Sequence, residues 1–98
     1  MISRFLIATE IKKNNVAGAQ QEYNLVQVAL NVDNVISIRD YDEFKKRLLD
    51  SEVWPAGLDT RVGLTKVTLN ASGYAASGLV LVGDLITIME KIEALNGI

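Results

Sequence analysis

Val67-Thr68-Leu69-Asn70, a loop of small residues from Ala71 to Gly78, Leu79-Val80-Leu81-Val82, the pair Gly83-Asp84 and an apolar-striped run to Leu95 follow one another directly. The order reads as strand, loop, strand, tight turn and capped helix. Val67 and Leu69 alternate with Lys66, Thr68 and Asn70, the period of two that leaves one face of a strand wet. Leu79 to Val82 is apolar on both sides, which suits a central strand or one covered by a helix. Asp84 is a good N-cap, because its carboxylate can accept from backbone N–H groups that the first helical turn leaves unpaired. Leu85, Ile88 or Met89, Ile92 and Leu95 fall at helical spacing, Glu90, Lys91 and Glu93 take the outer face, and Asn96-Gly97 supplies a stop. Burying four such side chains contributes roughly 6–12 kcal/mol before conformational entropy is subtracted. A chain cut at Asp84 is therefore expected not to fold.

Upstream, the period switches twice. Residues 2 to 11 alternate loosely, with Phe5, Ile7 and Ile11 expected on one face and Arg4 and Glu10 on the other. The apolar start, Met1 to Ala8, looks superficially like a signal peptide but stops at Thr9-Glu10 without a small-residue cleavage site, so a strand is expected. Lys12 to Glu22 is polar and reads as a loop or long hairpin tip. Tyr23 to Val32 is a stronger strand, with Val26, Val28, Leu30 and Val32 facing one way. Asp33-Asn34 bends the chain, and Val35 to Arg39 extends again, either as the second arm of a hairpin or as one long strand bulged at Asp33. From Asp40 to Asp50 the spacing becomes helical. Asp40 and Glu43 form a capping-box-like pair, Phe44 and Leu48, with Leu49 beside them, give the apolar side, and Lys45, Lys46 and Arg47 point to solvent. Trp54-Pro55 ends this helix, and Leu58 to Leu64 reads as an irregular connector.

The second half resembles small flagellar proteins of the FlbD type. The matching pieces are Leu30-Asn31-Val32-Asp33-Asn34-Val35-Ile36-Ser37-Ile38, Lys66-Val67-Thr68-Leu69-Asn70, Leu79-Val80-Leu81-Val82, and Asp84 to Ile92. This chain departs from the family pattern by inserting Tyr41 to Thr65 between strands. It also lengthens the Ala71–Gly78 loop, which lacks a tight Asn-Gly or Thr-Gly turn. What the resemblance implies is a β-meander with a packed helix, and no flagellar function is carried over.

The chain has 98 residues, enough for one core and one domain, residues 1–98. Its hydrophobic fraction of 49% places it with folded globular chains. It has no cysteine and no histidine, so disulfides, thiolate nucleophiles, Cys/His zinc sites and imidazole-based triads are excluded within the chain. Cysteine-free composition fits a cytoplasmic protein. No apolar stretch approaches the ~20 residues of a membrane-spanning helix. The net charge of −2 carries no general mandate for nucleic acid.

Four groups are candidates for function. The loop around Ser72, Gly73 and Tyr74 combines small residues that permit close backbone approach with an amphipathic anchor; the plainer reading is a flexible hairpin connection. Trp54 is either a core plug or, if exposed, an interface hot spot. Lys45, Lys46 and Arg47, joined by Arg39 and Lys66, could grip phosphates, or could simply solvate a helix face. Tyr23, Tyr41 and Trp54 could stack on bases but are not interleaved with the basic residues. Asp40, Asp42 and Glu43, with Asp33 near, are read as helix-start electrostatics rather than a metal site, since no calcium-loop motif occurs.

The expected fold is α+β: a mainly antiparallel sheet of about five strands, a short middle helix and a C-terminal amphipathic helix packed on the sheet. The expected function is non-enzymatic, without cofactor or metal: a cytoplasmic protein-interaction or assembly module, homo-oligomeric, of the kind found among bacterial or phage accessory proteins. Its contacts are expected from Tyr74, Ser72, Gly73 and Trp54. The alternative is a regulatory nucleic-acid-binding protein using Arg39, Lys45, Lys46 and Arg47.

Overall fold

The computed structural model describes residues 4–14, 18, 21–70 and 77–96. Strand β4 (Leu64–Leu69), strand β5 (Ser77–Val82) and helix α2 (Leu85–Asn96) form the expected closing unit. Ahead of them come β1 (Phe5–Lys13), β2 (Tyr23–Asn31), a 3-10 turn (Val32–Asn34), β3 (Val35–Asp40) and helix α1 (Asp42–Asp50). The five strands make one antiparallel sheet in the order β2-β1-β5-β4-β3, so the fold is α+β with both helices packed on the sheet. No helix among the described residues is long and apolar enough to cross a membrane.

The apolar character of β5 on both sides follows from its central place between β1 and β4. Leu79 and Leu81 point to an inner core with Leu6, Ala8, Leu30, Val67 and Ile88; Val80 and Val82 point to an outer core with Ile11, Leu48 and Leu64. Helix α2 covers the inner face, touching β1, β3 and β4, and α1 covers part of the outer face over β4. Within α2, Ile88 is fully buried and Ile92 and Leu95 pack beside it, while Met89 stays on the surface.

Strand β4 begins at Leu64, earlier than the sequence reading placed it. Thr65 interrupts the apolar pattern yet is fully buried, because its hydroxyl donates to the Gly83 carbonyl at 2.7 Å. A hydroxyl with a fixed acceptor can be buried without a desolvation penalty.

Strand β1 keeps Phe5, Ile7 and Ile11 on one face, as expected, and that face is the outer one. Its buried residues near the start are Leu6 and Ala8, opposite Leu30 and Val28 of β2, whereas Phe5 and Ile7 lie on the outer face and are exposed. Only Ile11 of the expected trio is buried, because the outer core reaches its end of the strand.

Neither expected reading of Asp33-Asn34 holds. β2 and β3 do not pair; they form opposite edges of the sheet, joined by the 3-10 turn. The bulge falls at Ile36 in β3, between the pairs Val35–Leu69 and Ser37–Thr68, and turns Ile36 out to solvent. The short joint dictates the sheet's shape. A flat sheet would hold its edges about 19 Å apart, at roughly 4.8 Å per strand. The link from Asn31 to Val35 reaches about 14 Å even when fully extended. The sheet therefore curls around α2. The joint is held by Asn31 Oδ1, which accepts from Asp33 N at 3.0 Å, by an ion pair between Arg4 and Asp33, and by Asn70 N donating to Asn34 O at 2.8 Å.

The expected capping role of Asp40 for α1 is corrected as well. Asp40 still belongs to β3, pairing with Thr65, and Tyr41 holds the N-cap position without a side-chain bond. The Asp40 carboxylate instead accepts from Leu85 N, the first residue of α2, at 3.0 Å. Asp84 is an N-cap as expected, accepting from Thr87 N at 2.8 Å. α1 closes in a Schellman arrangement, with Glu52 N donating to Leu49 O and Val53 N to Leu48 O. Glu52 occupies the left-handed position with φ 57.

Candidate functional site

Alternation along β3 and β4 places Arg39 and Lys66 directly opposite each other on the outer face. Tyr41 follows Arg39 by two residues, and Phe44 lies one helical turn further on. Their rings stack at 5.2 Å with an interplanar angle of 11°, and Tyr23 of β2 meets Phe44 edge-on at 5.7 Å. The Lys66 ammonium sits 5.2 Å from the Tyr41 ring centre, and the Arg47 guanidinium 5.4 Å from that of Phe44. The result is a continuous stack, Lys66–Tyr41–Phe44–Arg47, with Arg39 beside it. Cations over aromatic faces at this range gain a modest electrostatic attraction.

Of the basic residues singled out in the sequence, Arg47 and Lys66 lie over the two rings of this stack, and Arg39 is paired with Lys66 across the strands. The aromatic interleaving missing along the chain is supplied by folding. Phe44 was legible as a core residue, and its second role follows from the i, i+3 spacing of Tyr41, Phe44 and Arg47.

Trp54 is half-buried in the outer core, and its indole N–H donates to Leu58 O at 2.7 Å. Tyr74, Ser72 and Gly73 lie outside the described residues. The acidic residues do not converge: Asp40 binds the start of α2, Asp33 pairs with Arg4, and no group of three possible ligands forms a metal site among the described residues. Asp59 binds the Arg61 guanidinium at 2.7 Å, and that bond holds the carboxyl below its ordinary range and raises the guanidinium. Asp84 is likewise lowered, first by the Thr87 backbone N–H and then by the Thr87 hydroxyl.

Two shallow cavities flank α1. One of about 220 Å³ is lined by Tyr23, Phe44, Arg47 and Val53 among others, and one of about 270 Å³ by Arg39 to Glu43. Both fall below the roughly 300–1,000 Å³ of small-molecule sites.

The other notable surface is apolar. Phe5 is 49% exposed and Ile7 60%, side by side on the outer face of β1, with exposed Ala29 opposite Ile7 on β2. Leu25 and Val26 of β2 are also exposed. The sequence grouped Phe5 and Ile7 on one face of β1, but the alternation alone did not say which phase faced inward, so this surface was not legible as exposed.

Comparison with protein-family models, with curated proteins and with solved structures gives no match.

Proposed function

We propose that this protein is a non-enzymatic interaction module of structural or assembly type that associates with further copies of itself through its N-terminal hairpin. The observation that carries the reading is the bare pair Phe5 and Ile7 on the outer face of β1, continuous with Ala29 on β2. Large apolar side chains grouped on a sheet face favour burial against another surface. The lack of imidazole and thiol side chains supports a non-catalytic role. Cysteine-free composition supports a cytoplasmic setting, and the small α+β fold suits a bacterial or phage accessory protein. In this reading Tyr74, Ser72, Gly73 and Trp54 are additional contacts for a partner. Light scattering after size exclusion, over a range of protein and salt concentrations, tests it: a defined oligomer indifferent to salt is expected, and a monomer throughout contradicts it.

A second reading, nucleic-acid binding, is favoured by the Lys66–Tyr41–Phe44–Arg47 stack and by Arg39 opposite Lys66. Like charges directly opposite are unfavourable in a sheet unless an anion bridges them. Oligonucleotide binding that weakens steeply with salt and fails on Arg39→Glu would support it; no binding at low salt would remove it.

A further inference from the structure

The two edges of the sheet differ in a way that bears on how copies meet. β3 is short, bulged at Ile36 and ends in Arg39-Asp40, three features that hinder pairing with another strand. β2 has none of them. It runs nine residues, Tyr-Asn-Leu-Val-Gln-Val-Ala-Leu-Asn, with no charge, no proline and an unbroken register to β1. Among the described residues no strand pairs with its other side.

We propose that β2 pairs antiparallel with β2 of a second copy across a two-fold axis near Gln27, joining two sheets into one. The inference rests on the self-association reading and names its geometry. A second copy is the occupant favoured by charge: an uncharged strand meets itself without repulsion, at every position. In this register Gln27 faces Gln27, Val26 faces Val28 and Leu25 faces Ala29 of the other copy. On the outer face Ala29 would then be flanked by Ile7 of its own chain and Leu25 of the second copy. Because Ala29 is small, those two larger side chains can close over it. The exposed Ile7 thereby acquires an apolar neighbour.

The test uses Gln27→Lys and Gln27→Glu, at an exposed position where neither change disturbs a core. With a wild-type dimer, each variant alone is expected to have half the wild-type mass at the same concentration, and an equimolar mixture to return to the dimer mass. Variants that keep the wild-type mass, or a mixture that stays monomeric, would overturn the edge pairing while leaving self-association intact. A wild-type monomer at all concentrations would overturn both. Hydrogen exchange on the wild type supplies a measurement independent of variant folding: β2 amides should gain protection as concentration rises, and unchanged exchange across a measured monomer–dimer range would refute the pairing.

Discussion

The carboxylate of Asp40, the last residue of β3, accepts a hydrogen bond from the backbone N–H of Leu85, the first residue of α2, 45 positions away. The N-terminal turn of α2 is thus satisfied from two sides, by Asp84 within its own segment and by Asp40 from the sheet. This contact ties the middle of the chain to the helix that closes the inner core. Asp40→Ala is expected to destabilise the fold by about 1 kcal/mol, as removal of a helix cap does. Asp40→Asn, which keeps an acceptor oxygen, should lose much less. Urea denaturation of the two variants separates them.

The pH dependence of the cap at Asp84 has a defined sign. Its folded-state carboxyl titrates below the ordinary aspartate value of 3.8, because the Thr87 backbone N–H and hydroxyl favour the charged form. The stability it contributes is therefore fully present above that value and is lost as pH falls through the lower folded value. Asp84→Asn keeps the cap while abolishing this titration. Its thermal midpoint should respond less to acid between neutral pH and pH ~3 than that of the wild type, in the range set by ordinary carboxylate titration.

Glu52 holds the left-handed position that ends α1, where a side chain normally incurs roughly 1–2 kcal/mol of strain. Glu52→Gly should relieve that strain. Since glycine gives up more chain freedom on folding, the net gain is expected to be about 0.5–1 kcal/mol. An increase in the denaturation midpoint with an unchanged slope checks it.

The buried end of α2 gives a larger effect. Ile88 is fully buried against the inner core, so Ile88→Ala is expected to cost about 2–5 kcal/mol, through lost burial and the cavity left behind. Met89→Ala, on the neighbouring exposed position, should change stability by less than about 1 kcal/mol. If the two variants were equally stable by calorimetry, the assigned inward face of α2 would be wrong.

The closing unit was legible because each boundary carried its own chemistry: alternation in Val67 and Leu69, doubly apolar β5, and Asp84 ahead of a helical stripe. Other features depended on contacts distant in sequence. Asp40 and Glu43 have capping-box spacing, but Asp40 remains in β3, and its carboxylate meets α2 instead. The phase of β1 was ambiguous because Phe5, Leu6, Ile7 and Ala8 are all apolar; Leu30 and Val28 across the hairpin decide which pair is buried. The opposite placement of β2 and β3 was hidden for the same reason, since Asp33-Asn34 suits a hairpin turn as well as the 3-10 joint. The aromatic–cation stack needed β4 to bring Lys66 beside Tyr41.

The most direct measurement on the central claim is the solution mass of Phe5→Ser/Ile7→Ser beside that of the wild type, by light scattering at matched concentrations in low and high salt. Both positions are exposed, so the fold should persist, with an unchanged circular dichroism spectrum as the control. A salt-insensitive oligomer for the wild type and a folded monomer for the variant is the predicted result. A wild type that is monomeric throughout, or a folded variant with the wild-type mass, would contradict the account.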